Sequence, residues 1–273
     1  MAQITGIFAA SHTPVMLNFP QAIPDTLREN IFEAFGDIGR AIANSQPQAL
    51  IIISDDHVHN FFLNNLPSLC IGAADKYPTP VEHWLKAEKR VLPGDAALGA
   101  YLLQHAMAND FDPSLSMELT LDHGILTPLE LGGVPASIPI VPILVNCVQP
   151  PLPSMARCYA FGRWLGKALR EYTGLERVCI LATGGLSHDL ATPRMGMINE
   201  RFDREFLAHL QAGDSAGAVA YARDHVHLAG NGAEEVRMWL VAMGAAGSTA
   251  FVPRLYEPVS DWYTGIGLGH WEC

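Results

Sequence analysis

The chain has 273 residues, of which 49% are hydrophobic and 16% are charged, a composition typical of a globular protein and not of a disordered one. Its 28 acidic against 17 basic residues give a formal net charge of −11, which disfavours nucleic acid as a partner because such a surface repels phosphate. The start lacks the basic region of a signal peptide, and the longest apolar runs are far shorter than the roughly 20 residues that span a bilayer, so the sequence predicts no membrane association and a cytoplasmic location.

Short apolar runs alternate with longer segments of helical period along the chain. The predicted strands are residues 4–10, 49–54, 68–72, 137–145 and 177–183, and several are apolar on consecutive residues, as in strands covered on both faces. The predicted helices are residues 25–44, 95–108, 154–172, 199–211, 215–224 and 233–244, with Asp25 and Ser154 as expected N-caps. The pattern predicts an α/β fold in three layers, with a central mostly parallel or mixed sheet and helices on both faces, as a single domain over residues 1–273.

The remaining segments carry weaker signals. Residues 261–273 have no clear period and are expected to form an ordered lid or a packing tail. Within them, Gly265-Ile266-Gly267-Leu268-Gly269 is expected to be a flexible turn, because no strand–helix unit makes it a dinucleotide loop. The five cysteines are odd in number and lack CxxC spacing, which indicates buried or incidental thiols in a reducing compartment instead of disulfides or a zinc site.

Histidines follow four apolar runs where each run ends, in the segments SHTP, DDHVH, DHG and GGLSHD. Ligands gather beyond the carboxyl ends of the strands in open α/β sheets, so we expect His12, His57, His123 and His188 to meet at one edge. One such histidine alone would more often be an ordinary hydrogen-bonded loop residue. His59 competes with His57 for one role, since side chains two residues apart in an extended segment share a face.

A carboxylate could join these imidazoles from the helix that contains Glu234 and Glu235. Two imidazoles and one carboxylate form the facial triad of non-haem Fe(II) enzymes, which leaves coordination positions open for substrate and oxygen. From the spacing alone, a zinc-dependent hydrolase that uses the same ligand types fits nearly as well. A non-catalytic binding protein that has kept the fold is a third reading. A serine hydrolase is not supported, because Ser187 lies in no GxSxG elbow.

Five segments in this order, SHTP, DDHVHNFF, LTLDHGILTPLE, GGLSHD and GAEEVRMW, resemble motifs of the class III (LigB-type) extradiol ring-cleavage dioxygenases. In motifs the chain is most similar to the branch that contains 2,3-dihydroxyphenylpropionate dioxygenase and to the catalytic subunit of protocatechuate 4,5-dioxygenase. The matches extend from His12 to Trp239. The resemblance implies an Fe(2+) enzyme that incorporates both atoms of O2 while cleaving the ring of a catechol-type substrate in aromatic catabolism.

Carried over motif by motif, the resemblance implies that His12, His57 and Glu235 bind the iron. It implies acid–base roles for His188 and for His123. The sequence departs from the pattern through the neighbouring His59 and Glu234, so the ligand choice could shift to either position. A homo-oligomer is expected, and whether a separate small subunit is required is left open.

The substrate beyond its ring is not fixed by the sequence. His59, Arg194 and Arg237 are candidate substrate contacts, although an ordinary ion pair explains either arginine equally well. Three aromatic residues could line the pocket or fill the core: Trp84, Phe61 and Phe62. A catechol, an aminophenol or a gallate-like ring fits these residues equally well.

Overall fold

The computed structural model describes residues 1–247 and 249–272. The strands in these ranges are β1 (Gln3–Ala10), β2 (Ala49–Ser54), β3 (Leu69–Gly72), β4 (Lys76–Thr79), β5 (Arg90–Pro93), β6 (Ser114–Ser116), β7 (Ile140–Val145), β8 (Arg177–Thr183), β9 (Phe251–Val259) and β10 (Thr264–Trp271). The α-helices are α1 (Val15–Asn18), α2 (Asp25–Asn44), α3 (Ala96–Met107), α4 (His123–Gly132), α5 (Met155–Glu171), α6 (Glu200–Gln211), α7 (Ser215–His225) and α8 (Val236–Ala246). A 3-10 turn over Gly232–Glu235 leads into α8.

Eight strands form one mixed sheet in the order β6-β3-β7-β2-β8-β1-β10-β9, and β4 pairs with β5 in a separate hairpin. The central strands β7, β2, β8 and β1 run parallel, so their carboxyl ends meet at one edge. On one side β3 runs antiparallel to β7, and on the other β10 runs antiparallel to β1. The predicted mixed α/β sheet is therefore confirmed.

Helices cover both faces of this sheet because its central strands are apolar on both faces. Ile7 and Ala9 point into a core shared with α5 and α8, whereas Phe8 and Ala10 point into a second core shared with α2 and α4. Burying each large aliphatic or aromatic side chain contributes about 1.5–3 kcal/mol relative to leaving it exposed. This burial on both faces stabilises the sheet whose carboxyl edge carries the histidine loops.

The predicted strands and helices occur where expected, with ends that shift by a few residues. The strand expected over residues 137–145 begins at Ile140, after a turn. Ser154 caps α5 by accepting a hydrogen bond from the Arg157 amide at 3.1 Å, as predicted. The cap predicted at Asp25 is wrong, because Pro24 occupies the cap and Asp25 pairs with Arg28 within the first turn at 2.8 Å.

The expectations for the C-terminal segment are also wrong. Residues 264–271 form β10, a buried strand between β1 and β9, instead of a lid, a tail or a flexible turn. Glycine has no side chain and therefore gives no hydrophobic period, yet here it makes room for larger neighbours. A Cβ on Gly267 would lie 2.9 Å from Leu186 and 3.0 Å from Trp239, and a Cβ on Gly269 would lie 2.3 Å from Phe251.

Two further expectations concern membrane-spanning segments and the state of the cysteines. Across residues 1–247 and 249–272, no helix is both long and apolar enough to cross a membrane. Cys70, Cys147, Cys158 and Cys179 are buried free thiols, in keeping with the prediction for them. Cys273 lies outside the described residues. The division into a single domain stays a prediction.

Candidate active site

Three of the predicted histidine junctions lie side by side at the carboxyl edge of the sheet. Strand β8 lies between β2 and β1, so the loops that carry His57, His188 and His12 leave from neighbouring strands. All three imidazoles are enclosed, with His12 and His188 buried and His57 partly buried. The expected convergence of these loops is therefore a property of the parallel strand order.

The fourth junction reaches the same place by a different route. Residues 119–121 form no strand, and Leu121 is instead held by backbone hydrogen bonds to Pro78 and Val81, each 2.9 Å long. Asp122 caps α4 by accepting from the Gly124 amide at 2.9 Å. His123 consequently enters the site as the first residue of a helix.

His12 and His57 are each held through Nδ1, which leaves Nε2 free to face inward. Nδ1 of His12 lies 3.0 Å from Oγ1 of Thr183, whose hydroxyl donates to Ser54 at 2.9 Å. Nδ1 of His57 lies 2.9 Å from the Asp122 carboxylate, which also accepts from the His57 amide. A carboxylate on one ring nitrogen is the usual support of a histidine that binds metal through the other.

Glu235 brings its carboxylate to the same point. Its Oε2 lies 3.1 Å from Nε2 of His12 and accepts from the Gly185 amide at 2.5 Å. One helical turn later, the Trp239 indole donates to the Gly184 carbonyl at 3.0 Å and fixes α8 against the loop after β8. Glu234 instead pairs with Arg237, so Glu235 alone of the two glutamates joins the histidines.

Asp55 is a member of the cluster that the sequence interpretation missed. It is the first residue after β2, and its carboxylate lies 3.6 Å from Nε2 of His57 and 3.9 Å from Nε2 of His12. Both of its oxygens are buried, and neither has a hydrogen-bond partner among the described residues. One atom each from His12, His57, Asp55 and Glu235 lies within 4.8 Å of all the others.

The charges in this cluster are consistent with a bound cation. Burial raises the pKa of Asp55 to about 6. Burial also opposes ionisation of Glu235, but the charges of His12 and His188 outweigh it and hold the pKa of Glu235 well below its usual range. Two buried carboxylates without enough hydrogen-bond donors are costly, and a cation between them removes that cost. The four side chains therefore fit a divalent metal ion.

His188 lies beside this cluster, and a backbone carbonyl fixes its ring through the nitrogen that is farther from Glu235. Nδ1 of His188 donates to the Leu186 carbonyl at 2.8 Å, and Nε2 lies 3.4 Å from Oε1 of Glu235. Burial opposes protonation of the ring, but the charge of Glu235 outweighs it and raises the pKa of His188. The loop is anchored by Asp203, which accepts from both the amide and the hydroxyl of Ser187 at 2.7 Å.

His123 faces the cluster from the opposite side. Its ring centroid is 4.0 Å from that of His57, and burial together with the charge of His57 lowers the pKa of His123 to about 4. A neutral imidazole at this position can accept a proton from a bound molecule. A ring nitrogen of His123 also lies within 4.8 Å of nitrogens of His12 and His57, so these three imidazoles offer a second possible metal group.

A cavity opens onto these side chains. The residues that line it are His12, Thr13, Pro14, His57, His123, Gly185, His188, Leu190, Glu235 and Thr264. All five residues that the sequence predicted as ligands or acid–base groups are among them. The three candidate metal ligands and both further histidines therefore share one cavity wall.

The structure gives the candidate substrate contacts other partners. Arg237 is buried and bonded to the Pro153 carbonyl and to Glu234, and it does not line the cavity. Arg194 is half-exposed and pairs with Asp189 at 2.7 Å. His59 lies 3.4 Å from Glu82, and the Trp84 ring lies 6.0 Å from the His123 ring. Phe61 packs on the second core, and Phe62 is exposed.

Comparison with known proteins identifies one family model, several relatives of the same name and a solved structure with the same fold. A family model described as the catalytic LigB subunit of aromatic ring-opening dioxygenase matches residues 6–269. A protein of Paraburkholderia xenovorans (strain LB400) named 2,3-dihydroxyphenylpropionate/2,3-dihydroxicinnamic acid 1,2-dioxygenase is 27% identical, over 95% of each chain. A protein of the same name from Burkholderia vietnamiensis is 28% identical over 82% of this chain and 84% of that one. The crystal structure of uncharacterized protein JW3007 from Escherichia coli K12 shares the fold, with a TM-score of 0.68, 19% identity and coverage of 97% and 99%.

Proposed function

The chain belongs to the LigB family of aromatic ring-opening dioxygenases and is a ring-cleavage dioxygenase, and from this premise we propose that it cleaves a catechol-type substrate with O2 at ferrous iron held by His12, His57 and Glu235. The observation that carries the proposal is the meeting of these three side chains with His123 and His188 around one cavity. Bound there, ferrous iron would supply the redox chemistry by which O2 reacts with an aromatic diol.

The donor set supports iron of this kind. Neutral imidazoles and one carboxylate on one side of an ion are typical of non-haem Fe(II) oxygenases. Asp55 adds a buried carboxylate without hydrogen-bond donors, which further favours a divalent cation over an empty cluster. His123 is the alternative third ligand, and the iron content of variants distinguishes the two sets.

The two remaining histidines would move protons. Because Nδ1 of His188 donates to a carbonyl, Nε2 is the nitrogen that would take a proton from a hydroxyl of the bound diol. That proton would be available again when the ring opens. His123 would exchange the second proton from the other side of the cavity, as its neutral imidazole allows.

The experiment is anaerobic reconstitution with ferrous iron, followed by oxygen uptake and ultraviolet–visible spectra with a panel of catechols. Oxygen loss with a new yellow chromophore is the expected result. A zinc-dependent hydrolase would consume no oxygen, and a binding protein would turn over nothing. Either outcome across the whole panel would refute the proposal.

The ligand set has its own test with a matched control. Glu235→Gln should lower the bound iron severalfold, because it removes a charged ligand. Glu234→Gln removes the same charge one residue earlier, from a pair with Arg237, and should leave the iron content unchanged. Iron loss in His123→Phe instead of Glu235→Gln would favour the three-histidine set.

Assembly and location complete the proposal. We expect a homo-oligomer in the cytoplasm, with or without a separate small subunit. Light scattering on the purified chain gives the oligomer. Activity of that preparation without any added subunit would show that a small subunit is not required.

A further inference from the structure

We propose that Glu82 is a positioning residue for the ring-opening reaction, because its buried carboxylate fixes both the orientation and the tautomer of His123. The inference rests on the proposed acid–base role of His123. Glu82 belongs to none of the motifs that point to the reaction, and it lies in the loop between β4 and β5.

The carboxylate holds His123 at two points. Oε1 of Glu82 accepts from the His123 amide at 3.0 Å and from the ring at Nδ1 at 2.6 Å. The side chain of Glu82 is 0% exposed, so water does not compete for this oxygen. Burial opposes ionisation of Glu82, but the hydrogen bonds from His123 outweigh it and lower its pKa. The oxygen therefore acts as an acceptor that fixes the ring against the first turn of α4.

The loop of Glu82 is itself tied to the segment that leads into His123. Leu121 donates to the Pro78 carbonyl and accepts from the Val81 amide, both at 2.9 Å, and it also accepts from the Thr79 hydroxyl at 3.3 Å. Three hydrogen bonds thus align residues 78–81 with residue 121. Glu82 follows directly on residue 81 and His123 lies two residues after Leu121, so the backbone pairing brings the two residues close together.

This geometry selects the reactive nitrogen. A carboxylate can only accept, so Nδ1 of His123 carries the proton and Nε2 keeps its lone pair for the cavity. The Asp122 carboxylate holds Nδ1 of His57 in the same way. The rings of His57 and His123 lie 4.0 Å apart, so the two acid–histidine pairs form one packed row. Loss of Glu82 would release only the His123 member of this row.

The test uses the iron-loaded enzyme and two substitutions of similar volume. Glu82→Gln keeps an acceptor oxygen but no charge, and Glu82→Leu removes the acceptor. We expect kcat to fall about 10-fold in the first and about 100-fold in the second, with KM for the catechol and iron content nearly unchanged. Glu88→Gln, which alters an exposed glutamate in the same loop, is the control and should behave as the wild type.

A double-mutant cycle separates positioning from a general structural effect. In a His123→Phe background, Glu82→Gln should change kcat less than twofold, because Glu82 acts through His123 and its other histidine neighbour, His59, is not part of the cavity wall. An equal loss in both backgrounds, or wild-type kcat for Glu82→Leu, would overturn the proposal. Failure of the proposed function would look different, because the wild type itself would then consume no oxygen with any catechol.

A second readout does not depend on turnover. Nitrogen NMR of histidine-labelled protein loaded with diamagnetic zinc reports which ring nitrogen of His123 carries hydrogen, the assignment coming from His123→Phe. The wild type should show the Nδ1–H tautomer and Glu82→Leu a mixture of both. If His123 of the wild type carried its hydrogen on Nε2 alone, the positioning role of Glu82 would be refuted, even if Glu82→Leu failed to fold.

Discussion

The most specific prediction concerns Gly232, the first residue of the segment GAEEVRMW. A Cβ built on Gly232 would lie 2.0 Å from Nε2 of His188 and 2.1 Å from its Cδ2. The φ angle of Gly232 is not positive, so alanine is compatible with the backbone there. Gly232→Ala therefore perturbs one thing, the position of the His188 ring.

The size of the effect follows from the overlap. Carbon and nitrogen atoms in ordinary contact are about 3.5 Å apart, so the ring must retreat by roughly 1.5 Å. A misplacement of about 1 Å in a reacting group costs about 10²-fold in rate. We expect kcat to fall about 10²-fold, which corresponds to a barrier higher by about 2.7 kcal/mol.

The assay is oxygen uptake at saturating catechol, together with iron content and unfolding by urea. Iron content should stay near that of the wild type, since the His188 ring is not a proposed ligand. Gly36→Ala is the control, because its Cβ would meet only the mobile end of Arg40, at 3.0 Å. It should leave kcat unchanged and add up to about 1 kcal/mol to the free energy of unfolding.

A companion variant tests the cause directly. In Gly232→Ala with His188→Ala, the ring that overlaps the new methyl group is gone. The double variant should therefore regain unfolding free energy relative to Gly232→Ala alone, while remaining slow. Wild-type kcat in Gly232→Ala, or no recovery of stability in the double variant, would show that the reasoning from the overlap is incorrect.

Two further predictions use the same loop. His188→Phe keeps the shape of the ring but cannot transfer a proton, so it should retain iron and lose about 10²-fold or more in kcat, and full activity would exclude the proposed role. Burial raises the pKa of Asp203 from 3.8 to about 6, so its stabilising contribution is full below about pH 4 and is lost as pH rises through about 6. Wild type should therefore lose about 2 kcal/mol more unfolding free energy than Asp203→Asn between pH 4 and pH 7 in urea titrations, and equal losses would contradict this assignment.

The central strands and the histidine junctions could be predicted from the sequence because each depends on local pattern. Runs of consecutive apolar residues indicate buried parallel strands, and the residue that follows such a run lies at the carboxyl edge. The choice of Glu235 over Glu234 came from the family resemblance. In the structure it depends on how Trp239 fixes α8, a contact 55 residues apart in the chain.

The acids around the histidines are the part that sequence reasoning missed. Asp55 did carry a signal, since it is the first residue after a buried strand. Glu82 carries none, because it reaches His123 only through the backbone pairing of two segments about 40 residues apart. Strand β10 was missed for the related reason that its glycines show no period.

The position of β10 has a consequence for biosynthesis. Its backbone forms hydrogen bonds with the loops of His12 and His188, with Gly267 accepting from the Ser11 amide at 3.0 Å and Gly265 accepting from the Leu186 amide at 3.1 Å. Thr264 also contributes to the cavity wall. Residues 264–271 follow every other strand and helix described, so they are synthesised after both of the loops that they join, the loop of His12 and the loop of His188. The two loops are therefore joined through β10 only after all the candidate metal ligands have been synthesised.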